Sequence, residues 1–144
     1  MLKLNIGCGK EILENYINID KDDYGQEIIR DITKGLPFSN NTCSEIRAYS
    51  VLEHLDSEDL LFIMRECHRV LKPGGIFDIC VPLAGSDGSF RDPTHKTFFT
   101  ASTFDYFCEG KPDHYEINPN HKFRKIKVTE KGKGAVYARL MPIK

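Results

Sequence analysis

A short apolar run at the start of the chain ends in two glycines, within the motif Gly7-Cys8-Gly9. Eleven residues after Gly9, Asp20 closes a second short apolar run. Glycine lets a backbone approach a ligand where any Cβ would collide, and a carboxylate at the end of the next strand accepts hydrogen bonds from a ribose diol. This spacing predicts two neighbouring strands whose ends form a nucleoside-cofactor site.

The connection between these two runs is too short for an ordinary crossover helix. If the strands run parallel, the second restarts beside the beginning of the first, about 16 Å back for a short strand. The connecting residues 7–15 span roughly 30 Å when extended but only about 13 Å when wholly helical. The sequence therefore predicts a loop here, with the first crossover helix shortened or missing.

Five apolar runs, each bounded by glycine, proline, asparagine or aspartate, are typical of strands in an open sheet. They are Leu2–Ile6, Tyr16–Ile19, Ile28–Ile32, Ile46–Val51 and Ile76–Val81. Between the last two, apolar residues at helical spacing from Leu60 to Leu71 predict a helix that begins at Asp56 or Ser57. A strand, a helix and a strand in this order favour a parallel pair with a right-handed crossover.

The C-terminal part of the chain predicts a different arrangement. A short helix is expected over 100–109, and the alternating runs 122–129 and 135–143 flank a glycine-rich turn, which is typical of an antiparallel hairpin. We predict one α/β domain over residues 1–144, with a Rossmann-like, doubly wound, mostly parallel sheet and a C-terminal antiparallel hairpin. Residues 1–83 are expected to bind the cofactor, and residues 84–144 to form a substrate lid and the hairpin.

Composition narrows the class of protein. The chain has 144 residues, 40% of them hydrophobic and 28% charged, and a formal net charge of −1, as in an ordinary globular domain. Its five cysteines form no Cys-x-x-Cys pair, which indicates neither a disulfide framework nor a thiolate zinc site. With no signal-like segment and no apolar run of roughly 18 residues, we expect a cytoplasmic protein without a membrane partner. Oligomeric state is not predicted.

Basic residues cluster in the predicted hairpin. They are Lys122, Arg124, Lys125, Lys127, Lys131 and Lys133. Such a cluster fits either a nucleic-acid face or a strand pair solubilised by lysines, and no regularly interleaved aromatic residues favour the first. Nucleic acid is therefore not expected as a partner.

Two common nucleotide-binding motifs are excluded. A Gly-x-Gly-x-x-Gly dinucleotide motif requires a third glycine where Ile12 stands, and the Gly-Lys-Ser/Thr end of a P-loop is absent. The remaining interpretation is a nucleoside cofactor without a phosphate chain.

At this point the chain resembles the class I S-adenosylmethionine-dependent methyltransferases, in particular the type 11 group and a trimmed subgroup of it. The resemblance covers residues 2–83 and is carried by five motifs in order. They are Asn5-Ile6-Gly7-Cys8-Gly9, Asn18-Ile19-Asp20, Asp31-Ile32-Thr33-Lys34-Gly35-Leu36-Pro37-Phe38, Ala48-Tyr49-Ser50-Val51-Leu52-Glu53-His54-Leu55 and Arg69-Val70-Leu71-Lys72-Pro73-Gly74-Gly75.

The resemblance implies S-adenosyl-L-methionine as the cofactor. It also implies which part of the cofactor each motif would contact. The backbone of Gly7, Cys8 and Gly9 would lie against the methionine portion. Asp20 would bind the ribose hydroxyls, and Asp31 the adenine amine with Ile32 as an apolar contact. The backbone of Ser50, Val51 and Leu52 would line the cofactor near its sulfonium. For both aspartates, a turn-forming carboxylate after a strand is the structural alternative.

Candidate catalytic residues are His54, after the fourth strand, and His95, in the long segment 85–100 that is expected to form a lid. Either histidine can act as a base, or each can fix a loop by a hydrogen bond. His54, Asp92 and His95 could together form a metal triad, but no spacing in the sequence supports one, and no metal site is predicted. The absence of an Asn/Asp-Pro-Pro-Tyr motif disfavours methylation of exocyclic base amines.

The sequence thus predicts a methyltransferase that acts on a small-molecule acceptor, which the sequence does not identify. Two alternatives remain: a noncatalytic, degenerate methyltransferase that binds the cofactor or a partner protein, and an RNA methyltransferase that uses the basic hairpin as its anchor.

Overall fold

A computed structural model describes residues 1–110, 117–132 and 134–144. Within these residues the strands are β1 (Leu2–Ile6), β2 (Ile17–Asp20), β3 (Ile28–Ile29), β4 (Cys43–Tyr49), β5 (Leu71–Pro82), β6 (Phe123–Lys131) and β7 (Ala135–Pro142). The α-helices are α1 (Ser57–Val70) and α2 (Asp87–Phe90). Three 3₁₀ helices span Ile32–Lys34, Leu52–His54 and Ala101–Phe107.

All seven strands form one sheet with the order β3-β2-β1-β4-β5-β7-β6. The strands β1 to β5 run parallel, and β7 is antiparallel to both β5 and β6. The chain begins in the middle of the sheet and winds outward in both directions, which is the doubly wound topology. The predicted fold class is confirmed, including the C-terminal antiparallel hairpin.

The core lies between the sheet and α1. Alternate residues along the strands, such as Leu4, Ile46 and Phe77, are fully buried and form one cluster with Ile63 and Met64 of the helix. The helix starts where the sequence predicts, because the Asp56 carboxylate accepts a hydrogen bond from the backbone N–H three residues later. This layer places the carboxyl ends of the parallel strands along one edge of the sheet.

Two buried asparagines support the loop that connects β1 to β2. Asn5 and Asn18, 1% and 0% exposed, are joined by a 2.9 Å hydrogen bond between their side chains. Asn18 also accepts from the Leu13 backbone N–H and donates to the Leu13 carbonyl, and Asn5 donates to the Glu11 carbonyl. The loop contains no helix, as predicted, because these amides satisfy its backbone groups instead.

An ion pair fastens α1 to the segment before β4. Arg69 donates to both carboxylate oxygens of Glu66, at 2.7 and 2.8 Å, and to the carbonyls of Leu36 and Phe38. Glu66 in turn accepts the Leu36 backbone N–H at 2.8 Å. The hydrogen bond from Arg69 and the bond from Leu36 hold the pKa of Glu66 below its ordinary value.

Some boundaries differ from the prediction for local reasons. The third strand ends at Ile29 rather than at residue 32, because Asp31 caps the 3₁₀ helix that follows. The fourth strand ends at Tyr49, since Ser50 has a left-handed backbone with φ 55°. The predicted strand Ile76–Val81 is part of the longer β5, which starts at the end of α1 and includes an irregularity over residues 72–75.

One helical element of the C-terminal half agrees in place with the prediction, whereas the short helix α2 was not predicted. The 3₁₀ helix Ala101–Phe107 replaces the expected helix over 100–109, with Thr100 forming its capping box, and it buries Phe104 and Phe107. Lys133, in the predicted hairpin turn, lies outside the described residues. The longest helix in the described ranges has 14 residues, and none there has the length and hydropathy of a membrane-spanning helix.

The asparagine pair gives a first prediction. Replacing Asn18 by alanine leaves both backbone groups of Leu13 without their partner, which we expect to lower the free energy of unfolding by about 3 kcal/mol. Urea denaturation measures this, and Asn120→Ala at an exposed position is the control, with an expected change within about 0.5 kcal/mol. A cost for Asn18→Ala as small as that of the control would contradict the role of the pair.

The second prediction concerns pH. Because the folded-state pKa of Glu66 lies below its ordinary value of 4.5, the charged form stabilises the fold above that pH, and the contribution disappears as the pH falls through the folded-state value. Glu66→Gln should therefore cost about 2 kcal/mol at pH 7 and progressively less below pH 4.5. Urea denaturation from pH 7 downward tests this, with the exposed Glu14→Gln as control. A cost that does not change with pH would refute the assignment.

Candidate functional site

Two hydrogen bonds join the glycine turn after β1 to the end of β2, one from the Cys8 backbone N–H to the Ile19 carbonyl at 3.0 Å and one from Gly9 to the Asp20 side chain. The backbone N–H of Gly9 donates to Asp20 Oδ2 at 2.8 Å, and Asp20 Oδ1 accepts the backbone N–H of Asp22 at 3.0 Å. A carboxylate offers about four lone-pair positions, so two backbone bonds leave Asp20 capacity for ribose hydroxyls. The carboxylate therefore orders the glycine turn and keeps the chemistry that a diol requires.

The two glycines of the turn serve different purposes. Both have left-handed backbones, with φ 61° at Gly7 and 53° at Gly9. A Cβ on Gly7 would lie 2.3 Å from Val51 Cγ2, whereas a Cβ on Gly9 would meet nothing within 4 Å. Gly7 is thus required by packing against Val51, and Gly9 leaves open space of the kind a ligand can enter. Between them Cys8 is buried, and burial raises the pKa of its thiol.

Asp31 and Ile32 lie beyond the short β3. The exposed Asp31 accepts hydrogen bonds from the backbone N–H and the hydroxyl of Thr33, at 2.9 and 2.7 Å, both on Oδ1. These bonds hold the pKa of Asp31 below its ordinary value. Asp31 therefore has the turn-forming role that was the structural alternative in the sequence analysis. Both of these bonds are on Oδ1, so Oδ2 keeps its capacity to accept hydrogen bonds. Ile32 is buried in the core.

The end of β4 connects two parts of the site. Ser50 has a left-handed backbone and donates its N–H to the Cys80 carbonyl at 2.9 Å. Such a conformation at a strand end is uncommon for a residue with a side chain and is typical of ligand-binding positions. Val51 packs against Gly7, and Leu52 is fully buried.

The two candidate catalytic histidines are in contact. The rings of His54 and His95 lie edge to face, with centroids 4.8 Å apart. His54 Nδ1 is 3.1 Å from the Thr94 hydroxyl, and His95 Nδ1 is 2.9 Å from the Ser89 carbonyl. Burial lowers the pKa of His54. The structure therefore brings together two histidines that are 41 residues apart in the sequence.

Glu53 is a member of this group that the sequence analysis did not identify. Its side chain is 2% exposed, and within the described part of the chain Oε2 has no hydrogen-bond partner. Its carbonyl accepts the backbone N–H groups of Lys96 and Thr97, at 2.8 and 3.2 Å. Burial raises the pKa of the carboxyl group. The only sequence signal was its place beside His54.

These groups line a cavity of about 330 Å³ at the carboxyl ends of β4 and β5. The wall includes Ser50, Glu53, His54, Cys80, Asp92 and His95. The segment after β5 thus lines one side of the cavity. We call this space the acceptor cavity below.

The basic hairpin is at the other end of the chain and is largely engaged within the protein. Arg124 pairs with Glu109, and Lys125 pairs with Asp105. Lys122 donates to two backbone carbonyls. These contacts are those of a strand pair fastened to its neighbours, and they reduce the charge available to a phosphate backbone.

Comparison with known proteins assigns the family. The profile of the Methyltransferase domain family, type 11, matches residues 8–79, which is half of the chain. The match begins at Cys8 in the glycine turn and ends within β5, so it contains Gly9, Asp20, Asp31, Glu53 and His54. A search of curated proteins gave no significant match.

Solved structures show the same fold at low sequence identity. The PH0226 protein from Pyrococcus horikoshii OT3 aligns with a TM-score of 0.66 and 14% identity, over 98% of this chain and 81% of that one. The 1,6-didemethyltoxoflavin-N1-methyltransferase of Burkholderia thailandensis, solved with S-adenosylhomocysteine, aligns with a TM-score of 0.68 and 11% identity, over 99% and 71%. The N-methyltransferase NodS of Bradyrhizobium japonicum, also with S-adenosylhomocysteine, gives 0.66 and 14%, over 99% and 78%.

The glycine turn, the carboxylate that closes β2, the strand order and the match of the family profile agree with one another. The chain belongs to the class I S-adenosylmethionine-dependent methyltransferases, in the type 11 methyltransferase domain family.

Proposed function

We propose that this methyltransferase binds S-adenosyl-L-methionine at the ends of β1, β2 and β4 and methylates a small, polar molecule held in the acceptor cavity. The observation that carries the proposal is the position of Ser50. It directly follows β4 and lies between the glycine turn and the acceptor cavity. Its neighbour Val51 packs against the glycine turn, while Ser50 itself lines the cavity. A methyl acceptor in the cavity would therefore lie next to the ends of β1, β2 and β4, which we call the cofactor edge.

The residues at the cofactor edge fit the groups of S-adenosylmethionine. Asp20 keeps free acceptor capacity for a diol, Asp31 is an exposed acceptor for an amine, and the turn at Gly9 is open. We assign Gly7, Cys8 and Gly9, with Ser50, Val51 and Leu52, to the backbone that surrounds the methionine and sulfonium portions. The two parts of the domain would then divide the work, with 1–83 binding the cofactor and 84–144 covering the acceptor.

The cofactor supplies an activated methyl group on a sulfonium, so the protein mainly has to align the acceptor and exclude water. The segment after β5 is held to the 3₁₀ helix Leu52–His54 by the two backbone bonds to Glu53. His54 and His95 are the polar groups that we place against the nucleophilic atom of the acceptor. A cavity of about 330 Å³ with carboxylate and imidazole walls suits a small molecule with hydroxyl or amino groups.

The other candidate functions have less support. An RNA methyltransferase would need a free basic surface, but Arg124 and Lys125 of the hairpin are paired with carboxylates. A noncatalytic module would have no use for a histidine pair inside a cavity that borders the cofactor edge. We therefore favour the enzyme with a small acceptor.

Cofactor binding tests the first half of the proposal. Isothermal titration should show micromolar binding of S-adenosylmethionine and S-adenosylhomocysteine and none of NAD. Asp20→Asn keeps the shape of the side chain but removes its charge, and should weaken binding by about 1.5–3 kcal/mol, or roughly 10- to 150-fold. Asp23→Asn, in the following exposed turn, is the matched control and should bind like the wild type. Equal affinity of a folded Asp20→Asn protein would refute the assignment of Asp20.

The acceptor class is tested by following the methyl group. The protein is incubated with methyl-labelled S-adenosylmethionine and a cell extract, which is then separated into small molecules, RNA and protein. We expect label in the small-molecule fraction, reduced at least tenfold by His95→Gln. Label in the RNA fraction that nuclease treatment converts into labelled small molecules would support the RNA alternative. Label in no fraction would support the noncatalytic alternative.

A further inference from the structure

Three side chains with metal-binding atoms meet at the wall of the acceptor cavity. Glu53 and His54 follow β4, and His95 comes from the lid segment after β5. One ligand atom of each lies within 4.8 Å of the other two, the only such group found among the described residues. Imidazole nitrogen and carboxylate oxygen are the donors that divalent transition metals take in sites with two histidines and one acid.

The hydrogen bond of His95 Nδ1 leaves the second ring nitrogen, Nε2, as the atom that can bind a metal ion. The Ser89 carbonyl can only accept, so Nδ1 of His95 carries the hydrogen of their 2.9 Å bond. In the neutral imidazole Nε2 then holds the lone pair, and this nitrogen faces Asp92 Oδ2 at 3.5 Å. A lone pair beside a carboxylate is unfavourable unless a cation or a proton lies between them. Because the His95 side chain is only 6% exposed, solvent can do little to weaken the repulsion between this lone pair and the carboxylate.

The same argument applies to His54. Thr94 donates its hydroxyl hydrogen to Asp92 Oδ1 at 2.7 Å, because a carboxylate only accepts. The Thr94 oxygen therefore accepts from His54 Nδ1–H at 3.1 Å, and the lone pair is again on Nε2. Histidines that bind metals almost always donate their other ring N–H to a carboxylate, a backbone carbonyl or water. His95 does so at the Ser89 carbonyl, and His54 bonds the Thr94 hydroxyl, which is itself held by Asp92.

Glu53 provides an independent observation. Its Oε2 is buried without a hydrogen-bond partner in the described part of the chain, on a side chain that is 2% exposed. Buried carboxylates in native proteins are almost always paired, since an unpaired one loses its hydration without compensation. A cation next to His54 and His95 would supply the missing partner.

We propose that Glu53, His54 and His95 bind a divalent transition-metal ion at the wall of the acceptor cavity. Two nitrogens and one carboxylate oxygen favour Zn²⁺, Fe²⁺, Co²⁺ or Mn²⁺ over Mg²⁺ and Ca²⁺, which prefer oxygen ligands. In a tetrahedral zinc site, donors lie about 3.3 Å apart, so the side chains close in by roughly 1.5 Å on binding. Asp92 Oδ2 faces the same nitrogen of His95 and would lie beside the ion, while Asp92 Oδ1 holds the Thr94 hydroxyl that contacts His54.

The position of the ion suggests its use. Three protein ligands leave coordination positions open to the cavity, where an oxygen of the acceptor can bind and become more acidic. The histidines would then act on the acceptor through the metal rather than as free bases. This use rests on the proposed function, whereas metal binding itself does not.

Cobalt binding tests the site without cofactor or acceptor. The full-length protein is freed of metal with a chelator and titrated with Co²⁺, and the visible ligand-field absorption is recorded. We expect one Co²⁺ per chain, and at least tenfold weaker binding in each of Glu53→Gln, His54→Gln and His95→Gln. His121→Gln, at a histidine outside the cluster, and Cys80→Ser, at a thiol that lines the same cavity, should bind like the wild type.

The outcomes separate the hypotheses. A wild-type protein that binds no Co²⁺, or binds it equally well after all three substitutions in the cluster, overturns the proposal. Loss of binding in Cys80→Ser, with a sulfur-to-cobalt charge-transfer band in the wild type, would place the ion on the thiol and also overturn it. If Glu53→Gln does not fold, the less buried His54→Gln decides the question. Failure to bind S-adenosylmethionine would leave a positive cobalt result intact, so the two proposals fail separately.

Discussion

The 2.8 Å hydrogen bond from the Gly9 backbone to the Asp20 carboxylate is the contact on which the cofactor edge depends. In a doubly wound sheet the first crossover helix normally packs behind the glycine turn, but here a loop takes its place. The glycine turn must then be held in place by contacts with β1 and β2 themselves. Asp20 does this at the carboxyl end of the sheet, and the buried pair Asn5 and Asn18 does it beneath the loop. A trimmed chain can thus keep a defined ligand edge without the helix.

The end of β4 joins this edge to the rest of the site. Val51 fills the space that a side chain at Gly7 would need, while Ser50 turns the chain toward the acceptor cavity. Two residues after Val51, Glu53 holds the segment after β5 through its carbonyl and places its unpaired carboxylate beside His54. A strained backbone and a buried orphan carboxylate both cost stability, and their concentration at one strand end is typical of a functional site.

Much of this could be predicted from the sequence, and the exceptions have physical causes. The glycine turn, the loop crossover and α1 follow from local spacing, capping and chain length. The shortened β3 does not, because Asp31 prefers to cap the next turn over extending a strand. Buried polar residues such as Asn18 and Glu53 resemble surface residues in a sequence, since their partners are tertiary. The contact between His54 and His95 likewise depends on the segment after β5 folding back toward the end of β4.

The central claim is that S-adenosylmethionine binds where β1, β2 and β4 end. The most direct measurement is a two-dimensional amide NMR spectrum of the labelled protein, titrated with S-adenosylhomocysteine. We expect saturable shifts of the amides of Gly9, Asp20, Ser50 and residues near Asp31, with β6 unchanged. Shifts confined to the hairpin, or no shifts in a folded protein at millimolar ligand, would contradict it.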